Sequence, residues 1–86
     1  MPEICRFFGI IIRMYDDDHG NPHFHAYAEG QEAVVDIQSL EPIEGVLKKK
    51  NLGLVLRWAS LHRVELMEDW NLARRGAPLK RIPPLA

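Results

Sequence analysis

Eighty-six residues with 47% apolar and 27% charged side chains describe one small folded domain, residues 1–86, and exclude a chain disordered throughout. A formal net charge of −1 conceals a polarity: nine acids against two bases lie in residues 1–46, and nine bases against three acids in residues 47–86. Such asymmetry fits pairing of opposite poles within a fold or between subunits, and it allows a nucleic-acid partner without favouring one.

Ile4–Tyr15 is rich in β-branched and aromatic residues and runs into Asp16–Pro22, a cluster of turn formers, so it reads as a strand followed by a loop. Phe8, Ile10, Ile12 and Met14 share one face by period two, while Phe7, Ile11 and Tyr15 are apolar on the other. His23–Ala28 and Gln31–Gln38 then flank Glu29-Gly30, a two-residue hairpin loop. In that register His23 faces Asp36, Phe24 faces Val35, His25 faces Val34 and Tyr27 faces Glu32. Phe24, Ala26, Ala33, Val35 and Ile37 fall on an apolar face, and the histidines with Tyr27, Glu32, Val34 and Asp36 on the other.

A short link with Pro42 and Gly45 precedes a helix over about 50–75. Its wheel carries Leu52, Val55, Leu56, Ala59, Leu66, Met67, Trp70 and Ala73 as a stripe for packing on the sheet. Leu54, Trp58, Leu61 and Leu72 lie off that stripe, so a second covered surface is expected, its cover being the C-terminal tail Pro78–Ala86 or another subunit, with Leu54, Trp58 and Leu61 as the anchors for a partner. Gly76 and Pro78 end the helix, and residues 77–86, with Pro78, Pro83 and Pro84, form an extended arm. The expected architecture is α+β: an antiparallel meander of about three strands (about 4–38), one long helix packed on it, and a Pro-rich C-terminal arm. No stretch approaches the roughly 20 apolar residues of a membrane span. Acidic Glu3 argues against a leader peptide, and the single Cys5 excludes an internal disulfide and points to the cytoplasm.

Three of the four histidines fall in Asp18-His19-Gly20-Asn21-Pro22-His23-Phe24-His25. His23 and His25, two apart on a strand, point the same way and can reach one divalent metal, with His19 or Asp18 on the loop and cross-strand Asp36 completing the shell. The competing structural reading has His23 bonded to Asp36 and no resident cofactor. His19, His23 and His25 are also the candidates for proton transfer in phosphodiester cleavage, with Arg13, Arg57 or a lysine steadying phosphate. His62 and Glu65, three apart on the helix, form a pair that needs no function to explain it, and Trp70 reads as a packing residue.

Met1-Pro2-Glu3-Ile4, Phe8-Gly9-Ile10-Ile11-Ile12, Asp18-His19 with Pro22-His23-Phe24-His25, and Trp58-x-x-x-His62-x-x-Glu65-Leu66-x-x-x-Trp70 together resemble the bacterial domain-of-unknown-function family 4160 over nearly the whole chain. The resemblance singles out His23, His25, His62 and Trp70 and transfers no catalytic residue. It implies a small two-gene setting of toxin–antitoxin type, with self-association or the product of a neighbouring gene as partner. The expected role is therefore a protein-interaction module. The alternative is a small histidine-dependent or metal-dependent nuclease-like toxin acting on RNA.

Overall fold

The computed structural model describes residues 3–86; Met1 and Pro2, which open the first motif, lie outside the described residues. Five strands, β1 (Glu3–Phe7), β2 (Ile10–Arg13), β3 (His23–Ala28), β4 (Gln31–Asp36) and β5 (Pro42–Gly45), form one antiparallel sheet in the order β1-β2-β3-β4-β5. Two helices follow, α1 (Lys49–Leu61) and α2 (Arg63–Arg74).

The first expected strand is thus a hairpin. Phe8 and Gly9 both take positive φ (50° and 77°), the geometry of a two-residue turn whose twist matches its flanking strands, and Phe7 pairs with Ile10 across it. Glu29 and Gly30 repeat that turn at φ 50° and 76°, and the β3–β4 register runs from His23↔Asp36 to Ala28↔Gln31 as the sequence predicts. The link carrying Pro42 and Gly45 is the fifth strand. Gly45, at φ 73°, lies so close to the Glu32 carbonyl that a Cβ would collide with it.

The single expected helix is two. His62 leaves the helical region at φ −126° and ψ 28°, its N–H closes a tight turn on the Ala59 carbonyl, and its own carbonyl accepts the Leu66 N–H that starts the next helix. The helices cover the Phe24 face of the sheet. Phe24, Ala26, Val35 and Ile37 are fully buried there, against Val55, Trp58, Ala59 and Leu66. No described helix is long and apolar enough to cross a membrane.

Trp58 lies at the centre of this core and not on an outer surface. Its ring sits 5.5 Å from Phe7 and 5.9 Å from Phe24, and its Nε1–H donates to the Pro83 carbonyl at 2.9 Å. The C-terminal segment is accordingly docked against the fold and, of the two expected covers for Trp58, is the one that reaches it. The Ile82 N–H donates to the Ile4 carbonyl, and Arg81 reaches the Glu3 carboxylate at 3.2 Å. Arg6, then Arg81, hold the Glu3 carboxyl down to about 2. Cys5 is buried, and that burial pushes its thiol up, as expected of a structural cysteine.

Asp69 is the least expected core residue, at 1% exposure. Its Oδ1 accepts the Lys80 N–H at 2.9 Å, while Oδ2 is buried with no partner among the described residues. Burial pushes its carboxyl up, offset only in part by the Lys80 N–H. A folded-state pKa above the unfolded 3.8 favours the fold while the group is protonated, and this contribution is lost as pH rises through the folded value. Asp69→Asn keeps the acceptor and removes the charge. The fall in stability of the unmutated protein as pH rises from 3 to 7 is expected to be smaller in this variant, as read from Tm in melts at the two pH values.

Candidate metal centre

The outer face of the sheet, which the helices leave uncovered except where the end of α2 sets Trp70 against His23, carries the polar alternates of the core residues. On β3 these are His23, His25 and Tyr27, each half-buried and alternating with buried Phe24, Ala26 and Ala28. The loop after β2 folds back over them. The Asp18 N–H donates to the Tyr15 carbonyl and the Tyr15 N–H to Asp18 Oδ2, both at 3.3 Å, which turns the Asp18 carboxylate towards the strand. Asp18 Oδ2 then lies 3.2 Å from His25 Nε2, and Oδ1 3.6 Å from His23 Nε2.

The far sides of both imidazoles are occupied. His23 Nδ1 lies 2.7 Å from the Asn21 carbonyl, and His25 Nδ1 lies 2.9 Å from Glu32 Oε2. A carbonyl oxygen and an ionised carboxylate can only accept, so each Nδ1 carries the hydrogen. Both Nε2 atoms face one carboxylate, that of Asp18, which in the absence of an ion likewise accepts from a protonated Nε2. One donor atom from each of Asp18, His23 and His25 lies within 4.8 Å of the others. Donors bound tetrahedrally to one ion at about 2 Å lie about 3.3 Å apart, so closure around a metal needs the widest of these separations to shrink by up to about 1.5 Å.

Beside the cluster opens a cleft of about 460 Å³, walled by Asp17, His19 and Glu44 with Val34 and Ile43 as its apolar part. Among the described residues no lysine or arginine lines it. Arg13, one of the cations expected to steady phosphate, instead lays its guanidinium over the Tyr27 ring at 4.8 Å. The Tyr27 hydroxyl meets the Tyr15 hydroxyl at 2.8 Å; burial first, then Tyr15 and Glu32, push the Tyr27 phenol far up, so it stays neutral. The Tyr15 ring stands edge-on to His25 at 4.8 Å, and Trp70 packs 5.1 Å from His23.

Asp36 does not join the cluster. It shares the face with His23, but its carboxylate turns back to accept the Ser39 N–H at 2.7 Å, the leading cause of its lowered pKa. The loop residue Asp18 supplies the carboxylate. His19 stands on the cleft wall outside the three-donor group. His62 pairs with Glu65 at 2.9 Å and lies against Trp58, 5.6 Å between rings. Of the three expected anchors, Trp58 is buried, Leu54 is half-buried and Leu61 is 64% exposed. Glu32 is readable as a neighbour of His25 on the polar face, whereas the role of the Asn21 carbonyl depends on loop folding that no local pattern encodes.

A family model described as a domain of unknown function, DUF4160, matches residues 9–71. The chain belongs to this family. The DUF4160 match takes in all three cluster residues and Glu32, and it stops within α2, short of Arg74. No curated protein and no solved structure matches the chain.

Proposed function

We propose that this DUF4160 protein binds a divalent transition metal through Asp18, His23 and His25 and uses it to activate water in the adjoining cleft. The observation that carries the reading is the commitment of both histidine Nδ1 atoms to acceptors. A ligating histidine characteristically donates its other ring N–H to a carboxylate or backbone carbonyl, which fixes the tautomer and aims the free nitrogen at the ion. Three protein donors beside open space are the arrangement of a catalytic metal site, whereas structural zinc sites close with four. Hydrolysis is the chemistry such a centre supports, because the ion lowers the pKa of bound water and polarises the bond attacked.

The charge of the cleft bears on the substrate. Among the described residues Asp17 and Glu44 line the cleft and no lysine or arginine does, so the ion would be its one cation and would have to hold a polyanionic chain alone, which favours a neutral carboxylic ester or amide over the RNA of the nuclease alternative. Calorimetric titration of chelator-treated protein with Zn²⁺ and Co²⁺ tests the reading, followed by assays of the loaded protein on a chromogenic carboxylic ester, a phosphodiester and RNA. One-to-one binding with ester turnover is expected. Absence of binding at millimolar metal overturns it, and RNA cleavage by the loaded protein returns the nuclease reading.

Glu32 holds His25 from behind, so Glu32→Gln is expected to weaken metal binding by about 10–100-fold with little change in the melting curve. Partner binding of toxin–antitoxin type is a second reading, favoured by Leu61 and Val64, which stand 64% and 73% exposed on either side of the helix break. Co-purification with the product of a neighbouring gene, lost on Leu61→Asp, is its test.

A further inference from the structure

We infer that Arg74, in the last turn of α2, is a positioning residue for the Asp18 ligand, an inference that rests on the metal-binding reading. Its guanidinium leaves the helix and donates from Nη2 to the carbonyls of Tyr15 and Asp16, both at 3.2 Å. The Tyr15 peptide is the unit that aims Asp18, accepting the Asp18 N–H at its carbonyl and donating its own N–H to Asp18 Oδ2. Arg74 therefore grips the residue on which both orienting hydrogen bonds of the ligand depend. Without that grip the loop carries three consecutive carboxylates, Asp16 to Asp18, whose mutual repulsion opposes the folded-back turn.

The guanidinium is itself held in place. It stacks over the Trp70 ring at 4.0 Å, and the same ring packs 5.1 Å from the His23 imidazole. One end of α2 thus reaches two ligands, Asp18 through the loop backbone and His23 through Trp70. A planar donor on an aromatic face is a geometry that lysine does not reproduce. Arg74 is an exposed side chain, so its replacement leaves the core intact.

The test is a double-mutant cycle on Co²⁺ affinity of the full chain with Arg74→Ala, Asp18→Asn and the double variant, alongside thermal melts. Asp18→Asn keeps a side-chain oxygen and both imidazoles remain, so titration with excess Co²⁺ still reports on the cycle. Arg74→Ala is expected to weaken Co²⁺ binding about tenfold, to shift the cobalt absorption bands towards those of Asp18→Asn, and to have no further effect in the Asp18→Asn background. Arg74→Lys should restore binding only in part. Wild-type affinity in Arg74→Ala overturns the inference while leaving the metal site standing, as does a loss of equal size in the Asp18→Asn background. Failure of the unmutated protein to bind Co²⁺ removes both the site and the inference.

Discussion

His25→Ala is expected to lower the metal affinity by more than about 100-fold, beyond the range seen when only a supporting group is lost. His25 is the middle of the chain of contacts: Nε2 faces Asp18 at 3.2 Å and Nδ1 meets Glu32 at 2.9 Å. Alanine there removes a ligand and also leaves the Asp18 and Glu32 carboxylates facing each other across the gap. The fold should survive, because His25 lies on the uncovered face while its neighbours Phe24 and Ala26 fill the core from the other side. The melting temperature is accordingly expected to stay within a few degrees. His23→Ala should behave alike, since its Nε2 is the second nitrogen at the same carboxylate. His62→Ala serves as the control, its imidazole being paired with Glu65 on the helices. If His25→Ala binds Zn²⁺ as tightly as the unmutated protein, or if His62→Ala abolishes binding, the assignment of ligands is wrong.

The sequence carries some of this arrangement and withholds the rest for identifiable reasons. The β3–β4 hairpin is legible to the residue, because a two-residue loop leaves one register and that register separates Phe24, Ala26, Ala33 and Val35 from the histidines. The β1–β2 hairpin is hidden by its own turn. Phe8 is a bulky residue in left-handed backbone, and its apolar neighbours make Phe7–Ile12 look like one continuous strand. The helix break at His62 is marked by neither proline nor glycine, so the apolar stripe runs across it unbroken. β5 is short and wholly exposed, and its Pro42 and Gly45 are the residues that ordinarily punctuate a loop. The same contrast governs the site. That His23 and His25 point together follows from strand periodicity, but the choice of Asp18 over Asp36 does not. Both acids are near in sequence or register, and the outcome is decided by which backbone amides each carboxylate finds: Ser39 for Asp36, Tyr15 for Asp18.

Trp58→Ala should destabilise the fold more than any of the other substitutions, at about 3–5 kcal/mol. A domain of this size is held by roughly 4–13 kcal/mol in all, so a large share of its stability rests on one side chain. The ring has no exposed surface, touches Phe7 from β1 and Phe24 from β3, and ties the C-terminal segment down through the Pro83 carbonyl. Removing it opens a cavity between sheet and helices and frees that tail at once, and the tail also caps Asp69 and pairs with Ile4. At about 4–8 °C per kcal/mol, the melting temperature should fall by about 12 °C or more. Trp58→Phe keeps an aromatic ring in the core but forfeits the bond to Pro83 and some of the ring volume, so a loss of about 1–3 kcal/mol, smaller than that of Trp58→Ala, is expected. A Trp58→Ala protein that melts like the unmutated one would contradict the buried position and return Trp58 to the surface as an anchor for a partner.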